Sequence, residues 1–250
     1  MTTLVGKTAL VTGATSGFGR AIARALHGSG AHVVGTGRRA ERLRALEVEL
    51  GDRFEGRAFD IVDDAAMDAA LAGLSPDILV HNAGMALGLR GADAAEFADW
   101  DAMLATNCRA VARLTRMMLP GMVGAGSGHV VLISSVAGSY PYPGGNVYGA
   151  TKAFVTQFAL NLRADLVGRG VRVTSIEPGM AETEFSLVRF KGDAEMAAAP
   201  YRGMHPLSAE DVADAVLWAV TRPGHVNVNR IELMPEAQAF GPFQVVRRDA

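Results

Sequence analysis

A single cysteine, Cys108, stands in the 250 residues, so no disulfide can close within the chain. That suits a reducing compartment. Aromatic residues are sparse at 6%, and no apolar run approaches the ~20 residues needed to cross a bilayer. Neither sign of charge is in excess: 24 Lys and Arg against 26 Asp and Glu leave a formal net charge of −2. Nucleic acid and anionic membranes both ask for a basic face, so neither is indicated as a partner. The opening Met1-Thr2-Thr3-Leu4-Val5-Gly6-Lys7 passes directly into a strand-like run, with no basic segment followed by an apolar leader. A cytoplasmic protein is the expectation. His27, His32, His129, His205 and His225 keep no ligand spacing, so no metal site is expected.

What is present is an ordinary globular mixture, 49% hydrophobic and 20% charged, long enough for one large domain over 1–250. Short, nearly continuous apolar runs at 7–12, 31–36, 77–81, 129–134 and 171–176 read as buried strands, with weaker candidates at 54–60 and 230–234. Helical patterns fall between them at 19–27, 40–50, 63–71, 100–123, 147–169 and 209–220. Such alternation predicts right-handed crossovers and a doubly wound parallel α/β sheet of Rossmann type, with helices on both faces. One long stretch, 178–208, reads as irregular. A loop of that length inside a compact domain is usually functional.

The first strand ends in Thr12-Gly13-Ala14-Thr15-Ser16-Gly17-Phe18-Gly19, with a helix following. Glycines at a strand-to-helix turn let backbone amides approach a pyrophosphate, aided by the helix dipole. The second strand ends in Gly37-Arg38-Arg39, with no acid to accept ribose hydroxyls. A carboxylate there would repel a 2′-phosphate, whereas guanidinium groups bond it, so NADP is favoured over NAD. Asp60, followed by Ile61, is either an acceptor for the adenine amino group or the N-cap of the next helix. Asn82-Ala83-Gly84 offers small residues where a cofactor would lie close to the backbone.

Tyr148 and Lys152 are four apart in a helical pattern and so share one face, one turn apart. A phenol titrates near 10, and a neighbouring ammonium favours the phenolate and draws it toward working pH. The adjacent helix N-terminus acts the same way. Ser135, at the end of the fifth strand, is placed to donate a hydrogen bond to a substrate oxygen as charge develops on it.

Together these segments resemble the short-chain dehydrogenase/reductase family, through the glycine turn, Asn82-Ala83-Gly84, Asn107, Ser135, Tyr148-x-x-x-Lys152 and Pro178-Gly179. The resemblance spans the whole chain. It implies that Tyr148 is the general acid/base, and that Lys152 tunes it while holding the nicotinamide ribose. Ser135 would orient the substrate, and Asn107 would support a water leading to Lys152. Pro178, Gly179 and Thr183 would contact the nicotinamide side, and a homotetramer is implied, with the apolar C-terminal tail at an interface. Two departures stand out. His81 replaces a usual Asn, and Ala110 stands where a glycine is usual after Asn107.

Within the family the chain is similar to bacterial NADP-dependent 3-hydroxy acid dehydrogenases, including those acting on serine or allo-threonine. Segments 144–154, 183–192 and 225–230 carry that likeness. Oxidation of a small 3-hydroxy acid, or reduction of the semialdehyde, is implied. Reductases of short sulfonated aldehydes look similar too. In 178–208, Phe185, Arg189, Phe190 and Lys191 combine aromatic walls with cations, as a small anion would need, although both cations can equally be solvated. Tyr140 and Tyr142 either line the pocket or pack beside it. Two rival classes stay open: a reductase of larger neutral or carrier-bound ketones, and a non-enzymatic NADP-sensing module. An intact Ser135, Tyr148 and Lys152 argue against the sensor.

Overall fold

The computed structural model describes residues 3–241. Strands β1 (Thr8–Thr12), β2 (His32–Gly37), β3 (Phe54–Ala58), β4 (Ile78–His81), β5 (Gly128–Ile133), β6 (Val171–Pro178) and β7 (Arg230–Leu233) form one parallel sheet. Their order is β3-β2-β1-β4-β5-β6-β7. The chain runs from the centre to one edge, returns to the centre, and then fills the other side, which is the doubly wound arrangement expected. Strand order reverses between β1 and β4, the place where such sheets open a crevice at their carboxyl ends.

Period-two alternation assigns each strand's side chains to two cores. Ala9, Val11, Val33, Ile78, Val80, Val131 and Ile133 face the layer of α1 (Gly17–Gly28), α2 (Ala40–Leu50) and α9 (Ala209–Val220). Leu10, Val34, Leu79, Val130 and Leu132 face α3 (Asp64–Leu71), α5 (Ala110–Ala125) and α6 (Asn146–Asp165). Both faces are covered, so the strands read as continuous apolar runs.

Three stretches differ from expectation. The single helix expected over 100–123 is a longer rod: α4 (Phe97–Leu104), a π turn (Ala105–Arg109) that contains Asn107, and α5. The helix expected to reach 169 ends at Asp165, ahead of Gly168 and Gly170, which both take positive φ. The stretch 178–208 is not irregular. It holds α7 (Glu184–Arg189), α8 (Ala194–Ala198) and a 3₁₀ turn (Ala199–Tyr201), and is better called a lid.

The departures at His81 and Ala110 are absorbed by packing. His81 is buried on β4, with Nε2 2.8 Å from the Thr115 hydroxyl on α5, and burial drives its pKa down to about 3, so it is neutral. Ala110 is buried at the start of α5. The C-terminal tail expected at an interface lies, from residue 242 on, outside the described residues.

Candidate active site

One cavity of about 920 Å³ opens at the carboxyl ends of the strands. Its phosphate end is built from backbone. The Thr12 hydroxyl accepts the amides of Asn82 and Ala83, both at 3.0 Å, and the Asn82 side chain donates to the Thr12 and Gly13 carbonyls at 2.9 and 3.3 Å. These bonds tie the end of β1 to the turn after β4. Gly13 and Gly17 take φ of +70° and +49°, conformations that other residues rarely hold. A side chain at Gly19 would run into the Gly13 carbonyl and the Asn82 amide, so this glycine supports the turn from behind and does not line the cavity. Gly13, Thr15, Ser16, Gly17, Phe18, Asn82, Ala83 and Gly84 do line it.

Beside this turn, Arg39 donates to the hydroxyls of Thr15 (2.9 Å) and Ser16 (2.7 Å), and to Glu184 on α7 (2.9 Å). Arg42 binds the same carboxylate at 2.6 and 2.8 Å. Arg38 also lines the cavity, but its side chain is 65% exposed and approaches Asp60 only to 3.8 Å. Asp60 and Ile61 line the cavity, but the cap of α3 is Asp63, whose side chain accepts from Ala66. Asp60 instead accepts from the Val62 amide at 3.2 Å, so the helix-cap alternative for Asp60 is excluded. Neither Arg42 nor Glu184 was singled out in the sequence. Their partners lie 142 and 145 residues apart along the chain, and no local pattern announces such a pairing.

The chemical end is assembled on α6, with Tyr148 in its first turn. Tyr148 is buried in a cluster with Ala86, Met103 and Ala137, and its ring packs tilted on Phe185 with centroids 5.7 Å apart. Ser135 follows β5. Its hydroxyl accepts from the Ala137 amide at 3.1 Å and reaches the Pro178 carbonyl at 3.4 Å. Lys152 is buried, donates to the Ile133 carbonyl at 2.9 Å and has its pKa lowered by burial to about 8. The backbone beneath it is held too: Ser134 donates to the Lys152 carbonyl and meets Thr156, which reaches the buried Glu177 on β6. Burial pushes the Tyr148 phenol up to about 12, against the opposing pull of the Arg189 guanidinium and then of Ser135.

Asn107 stands behind the cavity wall. Its amide accepts from Met85 N at 2.9 Å and donates to Met85 O at 2.8 Å and the Thr151 hydroxyl at 3.0 Å. It therefore holds the Gly84–Met85 turn against α6 directly.

The lid closes the remaining side. Thr183 caps α7 by accepting from Phe185 N, and lies where a side chain at Gly17 would touch it. Pro178, Gly179, Thr183, Phe185, Arg189 and Phe190 all line the cavity. The Arg189 guanidinium lies 4.8 Å from the Tyr148 ring centroid and 5.3 Å from that of Phe185, with Nη2 donating to the Tyr142 hydroxyl at 3.2 Å. Its Nε is buried and has no acceptor among the described residues. Tyr140 and Tyr142 both line the cavity, and Tyr142 is packed in the Tyr148 cluster as well. Lys191 corrects the expectation for it. With φ +53° it turns away from the cavity and pairs with Asp99 on α4 at 2.9 Å.

A nucleotide-sized crevice at the strand-order reversal, with a glycine turn at one end and a Tyr-Lys-Ser cluster at the other, defines a dinucleotide-dependent dehydrogenase. Residues 7–193 match the short chain dehydrogenase model, and the chain belongs to that family. It is 53% identical over 245 residues to the serine 3-dehydrogenase of Agrobacterium fabrum, covering 96% of this chain and 98% of that one. The NADP-dependent 3-hydroxy acid dehydrogenase YdfG of Escherichia coli K12 is 51% identical over 245 residues, covering 96% and 99%. Among solved structures, the closed form of a serine dehydrogenase complexed with NADP+ superposes with a TM-score of 0.95 at 50% identity, covering 96% of this chain and all of that one.

Proposed function

We propose that this chain is an NADP(H)-dependent dehydrogenase of small 3-hydroxy acids, of the serine or 3-hydroxypropionate type, and that Arg189 holds the substrate's anion. The observation that carries the reading is Arg189 itself: a guanidinium laid against Tyr148, with a buried Nε that lacks an acceptor among the described residues. A small hydroxy acid has too little apolar surface to be held by burial alone, and a guanidinium grips a carboxylate through two parallel bonds. Serine 3-dehydrogenase and 3-hydroxy acid dehydrogenase are the names of relatives more than half identical to this chain, which supports the same substrate class.

The residues present fit NADP(H). The glycine turn would receive the pyrophosphate, Arg39 with Arg38 the 2′-phosphate, Asp60 and Ile61 the adenine side, and Asn82, Ala83 and Gly84 the central ribose. A side chain at Gly84 would crowd Lys152 Nζ and the Asn107 amide, so the open backbone there is a cradle beside the catalytic lysine. Lys152 would hold the nicotinamide ribose, with Pro178, Gly179 and Thr183 along the nicotinamide. When bound, the cofactor takes or gives the hydride. In the oxidation direction, Ser135 donates to the carbinol oxygen and Tyr148 removes its proton. In reduction, Tyr148 returns that proton to the nascent alkoxide. The lid excludes water from this path. The protein works in the cytoplasm as a single catalytic domain, assembled as a homotetramer.

The test compares 3-hydroxypropionate with its neutral amide on the alkaline plateau of activity. Arg189→Ala raises KM for the acid about ten- to 150-fold, from the charged hydrogen bond lost, and leaves KM for the amide nearly unchanged. Equal losses on both substrates would mean that Arg189 only shapes the lid.

A further inference from the structure

The ammonium of Lys152 is the cation that the Tyr-x-x-x-Lys spacing credits with tuning the phenol, yet it is not the cation nearest the ring. Lys152 Nζ lies 5.9 Å from the Tyr148 centroid and donates to the Ile133 carbonyl, whereas the Arg189 guanidinium lies at 4.8 Å. We infer that Arg189 belongs to the proton-transfer centre itself: carried in by the lid helix α7, its charge makes the Tyr148 proton easier to remove, and it does so only when the lid is down. The inference builds on the proposed function, since it asks one residue both to hold the anion and to tune the base.

Three observations bear on it. First, α6 and α7 are separate helices with β6 between them, and Arg189 reaches the ring alongside Phe185, one turn earlier on α7, which packs on the same cluster. Second, besides Lys152 the other groups facing the phenol are Ser135 from the β5 turn, Tyr142 from the loop before α6 and Tyr201 from the 3₁₀ turn, and none of these three is a cation. Cys108, on the π turn, faces Lys152. Arg189 is thus the nearer of the two cations to the ring, 4.8 Å against 5.9 Å from its centroid. Third, no carboxylate among the described residues pairs with it: its hydrogen bond goes to the Tyr142 hydroxyl.

The consequence is an order of events. With the lid raised, the guanidinium leaves the ring and the phenol loses that charge beside it. With the lid down, Tyr148, its own proton given up to solvent, holds its negative charge against the guanidinium and accepts the proton of the substrate hydroxyl, while the carbinol C–H bond would give its electron pair and hydrogen as hydride to bound NADP+. A substrate carboxylate on Arg189 partly cancels that charge, so the acid substrate requires a higher pH for the same turnover than its neutral amide.

The experiment measures kcat against pH for oxidation of 3-hydroxypropionamide by wild type, Arg189→Gln and Arg189→Lys. The ascending limb moves to higher pH by about 0.5–1.5 units in Arg189→Gln, the range that loss of a desolvated cation on a ring implies, and Arg189→Lys recovers part of it. Phenolate absorbance, taken as the difference between each protein and its Tyr148→Phe counterpart, gives the Tyr148 midpoint without turnover and shifts in the same direction. An unmoved limb and midpoint in Arg189→Gln, with a raised KM for the acid, overturn this inference and leave the anion clamp standing. A moved limb with an unchanged KM for the acid does the reverse. A midpoint as alkaline in Arg189→Lys as in Arg189→Gln assigns the effect to lid shape and also overturns it.

Discussion

The two walls of the cavity are made of different material. At the phosphate turn, Gly13 and Gly17 present bare backbone, and Thr12 and Asn82 fix it with bonds between 2.9 and 3.3 Å. At the lid, helices of six and five residues carry Phe185, Arg189 and Phe190 over the same space. Backbone amides recognise phosphate in any relative that keeps the glycines. A wall of long side chains recognises one kind of small molecule and changes with single substitutions.

Tyr148 is where the walls meet, and removing its hydroxyl is the largest break available. Tyr148→Phe keeps the ring on Phe185, so NADP(H) binding survives in a fluorescence titration while turnover falls about 10²–10⁴-fold. A near-normal rate would falsify the mechanism outright. On the phosphate side, the two arginines should separate. Arg39→Ala removes a guanidinium already fixed on Thr15 and Ser16, and weakens NADP(H) about ten- to 150-fold with little change for NAD(H). Arg38→Ala removes a charge that is 65% exposed and loosely partnered, so its loss is about fivefold or less. Equal losses, or an unchanged cofactor preference, break that division. The smallest effect sharpens the contrast in stability. Gly19→Ala forces a methyl against the Gly13 carbonyl at a cost of about 1–3 kcal/mol, lowering Tm by roughly 2–12 °C. Leu187→Ala on the exposed face of the lid leaves Tm where it was.

Much of the fold was legible because its signals are local. The helices Ala40–Leu50 and Ala209–Val220 have the bounds their patterns give, the second sharpened by Ser208 and Asp211, which cap it reciprocally. The lid reads as irregular in sequence because α7 and α8 are too short for any periodicity to show, although Thr183 and Asp193 sit at their starts as ordinary N-caps. Lys191 was grouped with Arg189 on charge alone. Its direction depends on a positive φ that a non-glycine residue rarely adopts, and sequence offers no sign of it. Arg42, Glu184, Glu177 and the role of Tyr142 rest on pairings between distant segments. Spacing can bring Tyr148 and Lys152 to one helical face, but it cannot say that Arg189 stands closer to the ring than Lys152 does.

Ala9 pairs with Ile78, and between their strands lie two further strands and three helices. The cradle joining Thr12 and Gly13 to Asn82 is thus no local turn but a seam between segments 70 residues apart. During synthesis, β1, β2 and β3 can wind together while the far side of β1 remains a bare edge, open to pairing with other chains until β4 arrives. Parallel pairing across so long a crossover is among the slower steps of folding. A chain cut before β4 would own Gly13, Gly17 and Gly19 and still lack the Asn82 and Ala83 bonds that fix their turn.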